Sequence, residues 1–312
     1  MFETNVAFMF PGQGAQRVKM GKDFYDNFPV FKNNFDRYSN VLNIDLKKLC
    51  FEENELLNQT EYTQVAMLSV SLATLKLLHK YDITSDVNLG YSLGEYGALV
   101  SSNVFGDEDA LRIVKERGRI MANAVPSSLG AMAAVIGLDN ETIQKSLSNL
   151  ENVWIANYNY NGQVTITGLK NSVEKASSLL KEQGARVIMI PVSGPFHSPL
   201  LKKAGDELKN VLDTVNLTPL ETPYMPNVTG MYETDNTNVK LLLEKQVYSP
   251  VMWARSIEIL KVEKYKTLIE VGTGHTLAGF CKKSKMDASI FTTDTVSEFE
   301  EMVTTLKENA KE

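Results

Sequence analysis

The sequence predicts an α/β protein in which a body of strands and helices is interrupted by a small ferredoxin-like α+β insert. Three observations predict it. The apolar run VAFMF (6–10) stops at Pro11 and Gly12, as a buried strand entering a loop does. In LGYSLGEYGALV (89–100), Ser92 stands two residues from a glycine on either side, with helix-forming residues after it, which suits a sharp strand-to-helix bend. Residues 131–192 carry the order β-α-β-β-α-β of a split βαβ module.

The elements follow in order. Residues 61–80 (EYTQVAMLSVSLATLKLLHK) are mostly apolar and free of Gly and Pro, predicting a long, largely buried helix. Residues 86–89 form a weaker strand leading into Ser92, and a helix follows. Another helix runs from 107 to about 124, where Val125-Pro126 breaks it. In the insert, AMAAVIG (131–137) reads as a strand and NETIQKSLSNL (140–150) as a helix. VWIANY (153–158) and QVTITG (163–168) read as strands joined by an Asn/Gly turn. SVEKASSLLKEQG (172–184) is a helix closed by its glycine, and ARVIMIPV (185–192) is the last strand. Helix signals return at 201–215. TLIEVGTG (267–274) predicts a strand and glycine loop, and SEFEEMVTTLKENAKE (297–312) an amphipathic final helix. The large subdomain is therefore expected at 1–126 and 199–312, and the small one at 127–198.

Composition narrows the function classes. The 312 residues suffice for one large domain or two modest ones, and 43% hydrophobic with 22% charged residues fits a soluble globular chain. The net charge of −6 argues against general binding to nucleic acid or anionic membrane. Cys50 and Cys281 lie far apart without CxxC spacing, which disfavours a disulfide framework or zinc site and suits a reducing cytoplasm. The N-terminal stretch lacks the basic and long apolar regions of a signal peptide, and no window approaches 18 uninterrupted apolar residues. A cytoplasmic enzyme or binding protein is expected.

The candidate chemistry centres on Ser92, whose hydroxyl needs a base. Of three histidines, His79 ends a helix beside Lys80 and reads as a surface residue interacting with the helix dipole. His197 lies in the Gly/Pro loop VSGPFHSPL, just past the last strand of the insert. His275 follows the VGTG loop and suits the late histidine of a Ser…Asp…His hydrolase, so both remain candidates. Arg117 shares a helix face with Ala110, Val114, Met121 and Ala124 at the edge of an apolar stripe. It either snorkels to water or holds a guanidinium fork in a semi-dry pocket for a carboxylate. The loop FPGQGAQ could present backbone N–H groups and the Gln13 amide to an oxyanion.

Taken together, FPGQGAQ, EYTQVA, GYSLGE, KERGRIM, GAMAAVIGL, GQVTITG, VSGPFHSPL, YSPVMW and EVGTGHTLAGF resemble, in that order and across nearly the whole chain, the malonyl-CoA:acyl carrier protein transacylase family of acyltransferases. The resemblance implies an α/β-hydrolase-like large subdomain with an inserted ferredoxin-like small one and the active site between them. It implies Ser92 as nucleophile, His197 as general base, and the main-chain N–H groups of Gln13 and Leu93 as the oxyanion hole. It assigns Arg117 to a malonyl carboxylate and Gln64 to the pocket. Phe196 would crowd a methyl branch, making methylmalonyl a poor substrate. A main-chain carbonyl, not an aspartate, would orient the histidine.

The implied substrates are malonyl-CoA and acyl carrier protein, with no cofactor or metal and a monomeric state. The chain departs from the family's pattern at Tyr91, where His is usual, and at Val65, Asn161 and Thr273, where Pro is usual. Tyr91 is expected to border the site and bear on acyl selectivity. Lys202-Lys203 and Lys282, Lys283 and Lys285 are candidates for docking an acidic carrier. The alternatives are a trans-acting acyltransferase of a polyketide pathway, a serine hydrolase using His275, and a carrier-binding module without catalysis.

Overall fold

The computed structural model describes residues 5–126, 128–192 and 194–309; Ser127, Ser193 and the last three positions of the expected final helix lie outside them. Strand β1 (Val6–Phe10) is buried at every position. It runs at the centre of a five-stranded sheet with β2 (Val87–Gly90), β7 (Tyr224–Met225), β8 (Thr267–Glu270) and β9 (Ser289–Thr292), in the order β7-β2-β1-β8-β9. Every pairing in it is parallel. Such a sheet is covered on both faces, which explains unbroken apolar runs in place of alternation. The helix Thr60–Lys80 is buried along most of its length, in keeping with its lack of a polar face.

The second sheet is built from β3 (Gly130–Ile136), β4 (Val153–Tyr160), β5 (Gln163–Leu169) and β6 (Arg186–Ile190), antiparallel in the order β4-β5-β3-β6. The helices Asn140–Leu147 and Lys170–Glu182 complete the split βαβ pattern. Alternation along β3 sends Ala131, Ala133 and Val135 into the core beneath these helices, while Met132 faces the main body. On its outer side β4 is stitched to the body by two main-chain bonds, Tyr158 N–H to Val251 O at 2.9 Å and Val251 N–H to Ala156 O at 2.8 Å. The architecture is thus mixed α/β, with a parallel body and an inserted antiparallel module.

Two differences from the sequence reading bear on the site. Arg117, expected at the edge of the apolar stripe, is fully buried in the helix Asp107–Asn123. The short helices Trp253–Val262 and Thr276–Lys283 pack behind β2 and β4, Val239–Gln246 packs on the helix Lys202–Leu212 and reaches Ser92 through Gln246, and no sequence signal had marked the three.

Candidate active site

The bend after β2 brings Ser92 to a backbone φ of 53°, in the left-handed region that non-glycine residues rarely adopt. The flanking glycines have a steric reason. A Cβ at Gly90 would lie 2.0 Å from the Gly94 carbonyl carbon, and one at Gly94 would lie 1.9 Å from the Phe10 carbonyl oxygen. The turn therefore closes only when strand, bend and the following helix Gly94–Ser101 touch backbone to backbone.

The Ser92 Oγ lies 2.8 Å from His197 Nε2, and His197 Nδ1 lies 2.8 Å from the Gln246 main-chain oxygen. Because a carbonyl only accepts, Nδ1 carries the proton and Nε2 is left to accept from the serine hydroxyl. Burial, reinforced by the positive charge of Arg117, pulls the His197 pKa down to about 4 against the opposing hydrogen bonds of Gln246 and Ser249. The imidazole is therefore neutral near pH 7, with Nε2 open to a proton.

Arg117 completes the approach to the serine. One Nη2 hydrogen bond reaches Ser92 Oγ at 3.1 Å and another reaches Gln246 Oε1 at 2.8 Å, while Nη1 donates to Gln64 Oε1 at 2.7 Å. Its Nε has no partner among the described residues. All three acceptors are neutral, so this buried cation has no carboxylate on its fork. Desolvation lowers its pKa, with Tyr96 and Glu95 acting in the opposite sense.

Gln13, Gln64, Tyr91, Leu93 and Phe196 line a cavity of about 120 Å³ together with Ser92 and His197. Among the described residues, the main-chain N–H groups of Gln13 and Leu93 donate to no acceptor. The facing wall comes from the antiparallel sheet and the strand leading to His197, through Met132, Asn157, Thr165, Ile190 and Val192. Tyr91 donates through its hydroxyl to Asn159 Oδ1 at 2.7 Å, tying the bend to β4. Its ring packs edge-on against Trp253.

The other histidines lie elsewhere. His79 is exposed in the last turn of its helix. His275 is exposed beside Glu298, 2.9 Å from its Oε1. Beyond Asn157, Asn159 and Thr165 on the facing sheet, three polar residues around the serine escaped the sequence reading: Glu95, Asn227 and Gln246. Asn227 Oδ1 accepts from the Ser92 N–H at 2.6 Å, and Gln246 Nε2 donates to the Ser92 carbonyl at 2.9 Å. Glu95, directly after the glycine-flanked serine motif, was the only one a motif could have signalled.

A strained serine paired with a neutral histidine in an apolar cavity is the equipment of acyl transfer through a covalent ester. Comparison with known proteins agrees. The family model described as "Acyl transferase domain" matches residues 7–308. The chain is 39% identical over 311 residues to the malonyl CoA-acyl carrier protein transacylase of Bacillus subtilis (strain 168), covering 98% of each. The structure matches the malonyl CoA-acyl carrier protein transacylase of Clostridium perfringens ATCC 13124 with a TM-score of 0.95 at 38% identity, covering 98% of both chains. It also matches a malonyl-transacylase solved with its holo type II PKS acyl-carrier protein, with a TM-score of 0.92 at 34% identity, over 98% of this chain and all of that one. From its bend to its buried arginine, this chain belongs to the acyl transferase domain family.

Proposed function

We propose that this protein moves a malonyl group from coenzyme A to the phosphopantetheine thiol of acyl carrier protein, supplying fatty-acid synthesis. The observation that carries the reading is Ser92 Oγ held between His197 Nε2 and Arg117 Nη2 at 2.8 and 3.1 Å. A nucleophile and a carboxylate-binding cation within reach of one another suit an acyl group with a free acid at its far end.

The reaction is ping-pong. His197 takes the Ser92 proton as Oγ attacks the thioester carbon. The oxyanion sits on the N–H groups of Gln13 and Leu93, each worth about 3 kcal/mol in the transition state. The C–S bond breaks, His197 returns its proton to the departing thiolate, and malonyl-Ser92 remains. The carrier thiol then gives its proton to His197, attacks the ester and leaves with the malonyl group, and Ser92 recovers its hydrogen. Arg117 binds the distal carboxylate with the Nη1 hydrogen left free by Gln64 and the Nη2 hydrogen released from Ser92. Gln64 orients the guanidinium. No cofactor or metal takes part.

The large subdomain of this reading comprises residues 1–126 and 199–312 and the small one 127–198; the confinement of the antiparallel sheet to residues 130–190 supports that division. The protein acts as a monomer in the cytoplasm; no described helix is long and apolar enough to cross a membrane. A hydrolase built on Ser92 and His275 is disfavoured by the exposure of His275 and its bond to Glu298.

Intact mass after incubation with malonyl-CoA tests the proposal. One malonyl adduct is expected on the wild type and none on Ser92→Ala; an adduct on the alanine variant removes Ser92 as nucleophile.

A further inference from the structure

Behind the serine lies a carboxylate that the reaction does not touch. Glu95 is fully buried and has no ion-pair partner among the described residues, yet polar groups converge on its Oε2. The Asn227 main-chain N–H donates to it at 3.0 Å and Gln246 Nε2 at 2.7 Å. A buried carboxylate is costly unless its surroundings need it, so the question is what these two donors do with their remaining groups.

Both hold the bend. The Asn227 side chain accepts the Ser92 N–H through Oδ1 at 2.6 Å and donates through Nδ2 to the Gly90 carbonyl at 2.5 Å. Gln246 Nε2 also donates to the Ser92 carbonyl at 2.9 Å, its Oε1 accepts from Arg117 at 2.8 Å, and its main-chain oxygen accepts from His197 Nδ1 at 2.8 Å. The strained peptide of Ser92 is thus clamped on its N–H side by the Asn227 side chain and on its C=O side by that of Gln246, and the Asn227 main-chain N–H and the Gln246 amide both donate to Glu95.

We propose that Glu95 is a positioning residue: through Asn227 and Gln246 it locks the backbone of the reactive serine, and through the Gln246 amide it fixes the oxygen that faces Arg117. This rests on the function proposed above only in its second half. The argument is one of donors and acceptors. A Gln side chain has two orientations of similar shape, and its neighbours decide between them. Here the Glu95 oxygen accepts from Nε2 and the Arg117 guanidinium donates to Oε1, so a single orientation satisfies both. That orientation is also the one that keeps a donor on the Ser92 carbonyl. The interposed amide separates Glu95 from Arg117 as well. A carboxylate placed directly on the guanidinium would occupy the fork and quench its charge; an amide dipole between them compensates the buried cation and leaves the fork for an incoming acid. A residue outside the cavity thereby acts inside it without touching substrate.

The test uses the full-length protein and two probes. A fluorophosphonate reports Ser92 and His197 without any malonyl group: the Ser92 Oγ–P bond forms, fluoride leaves and the hydroxyl proton passes to His197. Malonyl-CoA against acetyl-CoA reports Arg117. Glu95→Leu, which fills the space but takes the acceptor away from Asn227 N–H and Gln246 Nε2, should slow phosphonylation at least tenfold and lower the malonyl-to-acetyl ratio of acylation rates. Gln246→Met should do the same. The double variant should be no more than about twofold slower than the slower single one, because both break one unit.

Glu95→Leu rates within twofold of wild type, or losses that multiply in the double variant, overturn the proposal. Where Glu95→Leu does not fold, Asn227→Ala and Gln246→Met each cut one arm while Glu95 stays in place. Slowed phosphonylation in both supports the clamp, and a wild-type rate in either overturns it. A wild type that is phosphonylated on Ser92 but takes up no malonyl group removes the proposed substrate and leaves the clamp standing.

Discussion

Arg117 makes three hydrogen bonds to neutral oxygens and forms no ion pair among the described residues, although it is completely buried. A guanidinium in that state gains most from a ligand that brings its own negative charge. Arg117→Ala should therefore cost malonyl transfer about 1.5–3 kcal/mol in kcat/KM, while acetyl transfer changes little. Arg117→Lys should restore only part, since an ammonium cannot offer two parallel donors. Equal losses for the two acyl groups would reduce Arg117 to packing. His197 carries a pH signature of a different kind. An unfolded histidine titrates near 6.5, whereas the buried one is pulled to about 4. Above pH 6.5 both forms are neutral. As pH falls toward 4, only the unfolded chain takes up the proton, so stability is lost through that window, on the order of 3 kcal/mol in full. His197→Gln should lose less stability than wild type between pH 7 and pH 5, measured as the shift in urea midpoint. A parallel fall would mean that His197 is not held neutral by the fold.

At the scale of elements, the bend works because neighbouring segments hold it. Tyr91 ties it to β4 through Asn159, which is itself buried. Tyr91→Phe leaves the Asn159 oxygen without its donor, a cost of about 1–3 kcal/mol that a thermal melt should register. The ring still fills its place against Trp253, so acyl-serine formation should survive; loss of that activity without loss of stability would give the hydroxyl a direct part in the chemistry. The same region shows what a sequence can and cannot reveal. The GYSLGE motif announced a bend because steric limits on glycine are local, and the loop holding His197 was legible from its Gly and Pro. The Gln246 carbonyl that holds His197 was not, since any residue supplies a carbonyl and only the chain's path puts one 2.8 Å away. Arg117 was legible as an oddity on an apolar face. Its complete burial was not, because the helices and strands that cover it come from segments up to 129 positions distant, as with Gln246. The helices Val239–Gln246, Trp253–Val262 and Thr276–Lys283 are only 8 or 10 residues long and left too brief a periodic signal.

At the scale of the molecule, the cavity exists only where the antiparallel sheet meets the body. One wall carries Met132, Thr165 and Ile190, the other Ser92 and Leu93, and β4 is fixed to the body through Val251. A carrier protein must reach that seam from outside. An acidic carrier meets a chain whose own net charge is −6, so docking needs a local excess of positive charge. Of the lysines proposed from sequence, Lys202 is already engaged by Asp206 and Glu244. Lys282, Lys283 and Lys285 are exposed and in no ion pair among the described residues. Lys282 and Lys283 close the helix Thr276–Lys283, whose Phe280 packs against Tyr91 at the cavity. They thus stand one helix away from the reacting serine. Reversing Lys282, Lys283 and Lys285 to Glu should raise the KM for carrier protein about tenfold while leaving the KM for malonyl-CoA within about twofold, an effect of roughly 1.4 kcal/mol. Because the charges are exposed, raising the ionic strength toward 1 M, where the screening length falls to about 3 Å, should erase most of the difference between variant and wild type. The measurement is steady-state transfer with each substrate varied at low and high salt. Equal changes in both KM values, or a carrier effect that salt does not weaken, would place carrier docking elsewhere on the surface.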